Sequence, residues 1–246
     1  MNNGLYAACA GLLARTQALD LAANNLANVN TGGFKGQVPR FASLLAGAGT
    51  GRVSNAVFRA VDEFGVLGES RLDLQQGPIE QTGNDLDFAI QGSGYFALQN
   101  PQGGRLYTRN GAFHINRQSQ LTTADGSLVL GSQGPILLPP GKLAVSAGGI
   151  ISVDGAVAGQ LQVVDFASGT DLTPQGAATF SAPAGAERPS NAVNVVQGAL
   201  EGSNVDPVSA AVGLVVLQRN MGLLQQALTV FHSEMNRIAA QELSRL

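Results

Sequence analysis

The sequence predicts a mainly β central domain, antiparallel and barrel- or sandwich-like, flanked by N- and C-terminal α-helices that pair as a coiled-coil-like layer. Both ends of the chain repeat apolar residues at alternating spacings of three and four, the seam of a helix that must bury a stripe against another helix. The middle has almost no helical period and instead shows short apolar runs broken by turn dipeptides, recurring at roughly every eight to twelve residues as in antiparallel sandwiches and barrels. Glycine accounts for 32 of the 246 residues, without a Gly-X-Y period, which points to many tight turns.

The first helix is expected over Asn3–Val29, where Leu5, Ala8, Leu12, Leu19, Ala22, Leu26 and Val29 form the seam and Arg15 interrupts it. A polar residue inside such a seam fixes register, and an interchain ion pair is the favoured role for Arg15. Gly32-Gly33 is expected to end the helix. Asn24, Asn25 and Asn28 lie near that end. Their amides can bond backbone carbonyls left free there, or a neighbouring chain; simple helix termination is the plainer reading.

Gly, Pro and Ser crowd residues 36–51, an extended linker. Further on, Leu86, Phe88 and Ile90 alternate as in a half-buried strand. Asn110-Gly111, between Leu106–Arg109 and Ala112–Asn116, is the strongest short hairpin signal. Asp125-Gly126 separates Leu121–Thr123 from Leu128–Leu130, and Asp154-Gly155 separates Ile150–Val153 from a strand near Gln160–Phe166. Gly169–Ser190, with Pro174, Pro183 and Pro189, reads as looser chain. A short echo relates Gln76-Gly77-Pro78-Ile79-Glu80 to Gln197-Gly198-Ala199-Leu200-Glu201, which suits similar strands entering and leaving one domain.

The last helix opens at Asp206-Pro207, an N-cap followed by proline at the first helical position. Its seam is Leu214, Leu217, Met221, Leu224, Leu228, Phe231, Met235 and Ile238, the most regular pattern in the chain. The expected organisation is therefore an N-terminal helix within 1–35, a linker over 36–71, a central β-domain over 72–197, and a C-terminal segment and helix over 198–246. The two end seams predict an assembly interface made of Leu5, Leu12, Arg15, Leu19, Asn24, Asn25, Leu26, Asn28 and the eight C-terminal seam residues.

Composition narrows the function. With 44% hydrophobic residues a sizeable core forms, while 13% charged residues and a net charge of −3 give no electrostatic grip on nucleic acid. No Trp and 5% aromatic content argue against an aromatic-lined pocket for a small-molecule substrate. Cys9 is the one cysteine and His114 and His232 the two histidines, so neither a disulfide nor a thiol- or His-based metal site is expected, and no cofactor. The apolar run Leu5–Ala14 is preceded by no Lys or Arg, unlike a cleaved signal. No stretch reaches the ~18–20 consecutive apolar residues of a bilayer span, so the chain is not expected to cross a membrane.

Catalytic patterns are missing. Gly47-Ala48-Gly49-Thr50-Gly51 lacks the GxGxxG spacing and a preceding strand, and there is no HExxH. Asp85 and Asp87 could share a strand face as paired carboxylates, but mark a strand entry more simply.

Three segments resemble the flagellar rod and hook protein family. Leu21-Ala22-Ala23-Asn24-Asn25-Leu26-Ala27-Asn28-Val29-Asn30-Thr31-Gly32-Gly33-Phe34-Lys35 is similar to its N-terminal signature, Tyr107-Thr108-Arg109-Asn110-Gly111-Ala112-Phe113 to its central motif, and Gln197-Gly198-Ala199-Leu200-Glu201-Gly202-Ser203-Asn204-Val205 to the approach to its C-terminal helix. The resemblance implies a non-enzymatic subunit of the basal-body rod, the periplasm-crossing drive shaft. It also implies terminal helices paired inside a tube, partners among other rod subunits and copies of itself, and passage through the flagellar type III export apparatus. Phe41-Ala42-Ser43-Leu44-Leu45 resembles an export-gate motif, with Phe41 and Leu45 as its ends; a chance apolar patch reads as well. The chain looks most like the F-type proximal subunit, with the distal G-type subunit as the near alternative. A carbohydrate-active β-domain acting on cell wall is the alternative from another class, and would need a cleft with acidic or metal-binding residues.

Overall fold

A computed structural model describes residues 2–39, 41–42, 66–67, 70–167, 169–176, 178–190 and 194–243. The protein is mainly β, with a long helix at each end, and divides into two compact units: Met1–Ala27, Gln37–Arg71 and Pro207–Leu246 in one, Asn28–Gly36 and Leu72–Asp206 in the other.

In the first unit, helix α1 (Asn2–Ala27) packs against helix α2 (Pro207–Leu243). α2 begins at the proline expected to open it, because the missing N–H of Pro207 falls where no helical partner exists. α1 stops at Ala27, several residues before Gly32-Gly33. The cause is Asn25, whose amide donates to the Gln37 carbonyl (2.8 Å) and accepts from the Gln37 N–H (2.9 Å), so the chain has already turned back. Among the described side chains of α1, the buried positions are Gly11, Ala14 and Ala18, small residues that allow close helix approach. Within the expected linker, Phe41–Ala42 pairs with Val66–Leu67 as two short strands.

The second unit is built around the strand Tyr95–Gln99. One edge pairs with Arg105–Thr108, and beyond it Thr179–Ser181 and Thr173–Gly176. The other edge is shared: Leu128–Gly131 pairs with its C-terminal half, Val163–Phe166 with its N-terminal half. The sheet therefore forks, one branch continuing to Leu121–Thr122 and His114–Ile115, the other to Glu187–Pro189. A meander of Leu143–Val145, Ile150–Val153 and Ala156–Gln160 and two strand pairs, Phe88–Ile90 with Val195–Gln197 and Ile79–Gln81 with Ala199–Glu201, complete the unit. Among the described residues the sheet stays open at both ends and does not close into a barrel, so the expected barrel is not formed and the unit is a mainly β, open-sheet structure.

Side-chain alternation along Tyr95–Gln99 separates two cores. Phe96 and Leu98 join Phe88, Phe113, Leu121, Val129 and Ile151 on one face, while Tyr95 joins Tyr107, Val164, Leu172 and Phe180 on the other. Phe88, Ala89 and Ile90 are all fully buried, so this strand is covered on both faces rather than half-buried as its alternation suggested.

The turns show where local signals held. Asp154 and Gly155 both take the left-handed conformation (φ 50° and 86°) and form a two-residue hairpin, but its second strand starts at once, at Ala156. Asn110-Gly111 makes no hairpin: Arg105–Thr108 and His114–Ile115 pair with other strands, and neither residue is left-handed. Close packing overrides the local preference there, since a Cβ at Gly111 would overlap the Phe88 carbonyl. The stretch 169–190 is more ordered than expected. It carries three strands, two of which place Pro174 and Pro189 at sheet edges, where a missing N–H breaks no ladder.

Candidate functional site

Two sets of residues stand out, one on the helices and one in the β-unit. On α1, Leu12, Arg15, Leu19, Asn25 and Leu26 are half-buried and Asn24 is exposed; the Leu5 side chain lies outside the described residues. Asn28 follows the helix, in the β-unit, and its side-chain Oδ1 accepts from the Thr31 hydroxyl. On α2, Leu214, Leu217, Met221 and Leu224 are half-buried, whereas the side chains of Leu228, Phe231, Met235 and Ile238 are outside the described residues. Phe41 falls in a two-residue strand and Leu45 is not described.

The sequence seam missed a second feature of α2. Val208, Val212, Val215, Val216, Leu223 and Val230 point away from the seam and are 50–70% exposed. Val216, Leu223 and Val230 recur every seven residues, the heptad period of the seam itself. Two apolar stripes on one helix also raise its overall hydropathy. Pro207–Gln226 has a mean hydropathy of 1.3 and is, by length and composition, apolar enough to cross a bilayer, although no uninterrupted apolar run exists there.

In the β-unit, the three motifs singled out in the sequence meet. The connector 28–36 brings Lys35, the loop after Arg105–Thr108 brings Arg109, and the strand Ala199–Glu201 brings Glu201. The three are 1%, 3% and 0% exposed. Glu201 Oε1 accepts from Lys35 Nζ (2.6 Å) and from the Gly77 N–H (3.1 Å), and Oε2 from Arg109 Nη1 (3.0 Å). Lys35 also donates to the Gln75 carbonyl (2.6 Å), and Arg109 to the carbonyls of Ile90 and Gly92. The Arg109 guanidinium sits 5.1 Å from the Tyr95 ring centroid, a cation–π distance. Burial lowers the Lys35 pKa from its ordinary value, opposed by the hydrogen bond and charge of Glu201. Burial pushes the Tyr95 phenol up to about 12.

Backbone contacts hold the same place. The Gly33 N–H donates to the Glu201 carbonyl (2.7 Å), the Asn204 N–H to the Phe34 carbonyl (3.3 Å), and the Gly36 N–H to Asn204 Oδ1 (2.8 Å). Gly33 is left-handed (φ 68°), and a Cβ there would overlap the Asn110 backbone, so glycine is required twice over. The two echo segments pair directly, Glu201 opposite Ile79 and Leu200 opposite Glu80. Sequence reasoning nominated none of Lys35, Arg109 or Glu201. The available signal was a charged residue inside each of three otherwise apolar or turn-forming motifs.

Neither set is arranged for chemistry. Asp85 is exposed, whereas Asp87 is buried and accepts from the Thr82 hydroxyl (2.6 Å) and the Asn84 amide (3.0 Å), a strand-entry arrangement rather than a carboxylate pair. An open groove of about 460 Å³ between the Gly131–Ile136 turn and Val157–Gln160 is lined by no titratable side chain. Among the described residues no three His, Cys, Asp or Glu side chains come together as a metal site.

A forked β-unit between two long terminal helices, one of them with an exposed apolar stripe, has the features of an assembling structural protein. The comparisons make the assignment specific. Residues 5–35 match the flagella basal body rod protein model, 89–158 the flagellar hook protein FlgE/F/G D1 domain, and 196–238 the flagellar basal body rod FlgEFG protein C-terminal model. The chain is 32% identical over 225 residues to the flagellar basal-body rod protein FlgF of Mesorhizobium japonicum, covering 89% of each chain. It is 34% identical over 242 residues to the rod protein FlgG of Caulobacter vibrioides, covering 87% of this chain and 90% of the relative. It is 29% identical over 245 residues to FlgF of Salmonella typhimurium, covering 93% and 94%. The chain belongs to the flagellar basal-body rod protein family. It is a structural, non-enzymatic subunit of the rod in the flagellar basal body, and other rod subunits are its assembly partners.

Proposed function

We propose that this chain is the F-type proximal rod subunit and that it polymerises through its terminal helices into the axial drive shaft that carries torque across the periplasm. The exposed valine and leucine stripe of α2 is the observation behind this reading. α1 and α2 pack on each other, yet Val216 remains 50% exposed and Leu223 64% exposed. A contiguous apolar face of that kind is covered in an assembly. The half-buried seam residues Leu12, Leu19, Leu26, Leu214, Leu217, Met221 and Leu224 serve the pairing of α1 with α2 in a coiled-coil-like layer. The outer stripe then meets further copies or other rod subunits. On this reading the apolarity of Pro207–Gln226 serves helix packing, not membrane insertion. Export through the type III apparatus, with Phe41 and Leu45 in its recognition segment, belongs to the same proposal. The G-type position is the second reading, favoured by the matches to FlgG proteins at similar identity.

Sedimentation of the purified chain over a range of concentrations tests assembly. The wild type forms growing polymers, and Leu224→Asp stays monomeric while its β-unit keeps its protease resistance. A Leu224→Asp chain that polymerises normally overturns the assembly reading, and one whose β-unit melts shows that α2 is instead part of that unit's own core.

A further inference from the structure

We propose that Lys35, Arg109 and Glu201 form a closure latch that makes docking of the two connectors, 28–36 and 199–206, a single cooperative event within the β-unit. The connectors are distant in sequence: Lys35 lies 166 residues from Glu201. They are adjacent in space and bonded to each other by backbone in both directions, Gly33 to Glu201 and Asn204 to Phe34.

Charge makes the docking all-or-none. The cluster buries two cations and one carboxylate, and Glu201 uses both oxygens, one for each cation. If 199–206 leaves, Lys35 and Arg109 stay buried without the one carboxylate that both are bonded to. If 28–36 leaves, Glu201 loses the ammonium that shares Oε1, and the backbone partners of Gly33, Phe34 and Gly36 go with it. Removing one member of a buried ionic group costs far more than the intact group contributes, because the remaining charge is left desolvated. The intact cluster is not tuned for stability: it carries an excess positive charge, and Arg109 Nε is buried without a hydrogen-bond partner among the described residues. An apolar contact would hold the connectors as firmly but would let each dock alone. The ionic cluster penalises the half-docked state, which is the property of a latch.

Native-state hydrogen exchange of the full chain in rising, sub-denaturing urea reads this directly. The amides of 31–36 and of 199–204 are expected to exchange through one common opening, with a shared midpoint and urea slope. Two separate isotherms, with one connector opening at lower urea than the other, overturn the latch. A second measurement uses Lys35→Met. Exchange at 199–204 and at the paired strand 79–81 is expected to accelerate at least tenfold along with 31–36, while Arg105→Gln, in a surface pair of the same unit, leaves all three unchanged. Acceleration confined to 31–36 overturns the proposal. Where Lys35→Met does not fold, the wild-type isotherms decide.

Discussion

The two units bury their apolar residues in opposite ways. In the β-unit, Phe88, Phe96, Leu98, Leu121, Val129 and Ile151 have no exposure at all, and the chain's own strands cover them. In the helical unit, the buried positions among the described residues of α1 are a glycine and two alanines, while Leu13 and the valine stripe of α2 stay largely in solvent. One unit completes its core within a single chain. The other holds a core's worth of apolar residues with one chain's worth of cover. On the proposed reading, stability is a property of the first and assembly a property of the second, and substitutions should separate them.

The largest expected effect is in the latch. Glu201→Leu strands two buried cations and should cost the β-unit about 3–5 kcal/mol, read as a lower urea midpoint at unchanged slope. Leu224→Asp, on a half-buried helix position, should abolish polymers and change the unfolding free energy of the β-unit by no more than about 0.5 kcal/mol. Equal losses in both variants would erase the distinction between the units. Next comes the hydrophobic centre. Phe113 meets Phe88 and Phe96 at ring-centroid distances of 5.9 and 5.2 Å, so Phe113→Ala should cost about 3–5 kcal/mol in thermal unfolding, at the low end if the neighbouring rings collapse into the space.

Much of this contrast was legible in the sequence, and the parts that were not have physical reasons. The start of α2 was readable because an N-cap and proline are local chemistry. The hairpin at Asp154-Gly155 was readable for the same reason, and the identical logic failed at Asn110-Gly111, where the Phe88 carbonyl and the connector at Gly33 dictate the backbone. Strands over 173–189 were hidden because their prolines suit edges, and edge status is a tertiary fact. The latch was hidden for a related reason. Its three charges lie in three motifs and pair over 166 and 92 residues, and no spacing rule reaches that far. The second stripe of α2 was harder to read because Val216, Leu223 and Val230 repeat with the same seven-residue period as the seam, and periodicity alone does not say which stripe a partner covers.

Alkaline pH should distinguish the units again, with a smaller effect. Tyr95 has a folded pKa of about 12, above the ordinary phenol value. Between pH 10 and 12 the unfolded chain therefore loses a proton that the folded chain keeps. The folded state binds more protons there, so stability falls as pH rises, by about 2.7 kcal/mol at most from this group. Lys35 works in the other direction: its folded pKa is lowered, so its contribution rises with pH up to about 10.5 and then levels. Loss should set in above that point. Tyr95→Phe, which keeps the ring under Arg109, should remove part of it, leaving the share due to Tyr107, whose phenol is also raised by burial and by its bond to Glu187. A Tyr95→Phe chain with an unchanged alkaline unfolding curve would place that ring in solvent contact.

The smallest effect is expected at Arg105–Glu187, and it sharpens the reading of the latch. The pair is as short as Lys35–Glu201, 2.6 Å in both cases, but the Arg105 side chain is 51% exposed where Lys35 is fully buried. Distance alone would make the two equal. Solvent screening and side-chain entropy make an exposed pair worth less than about 1 kcal/mol, whereas a buried pair resists the loss of either member. Arg105→Gln should therefore lower the β-unit's unfolding free energy in urea by less than about 1 kcal/mol, and the loss should shrink further in added salt. If Arg105→Gln cost as much as Glu201→Leu, burial would not be what sets the buried cluster apart, and the reason for expecting the connectors to dock together would go with it.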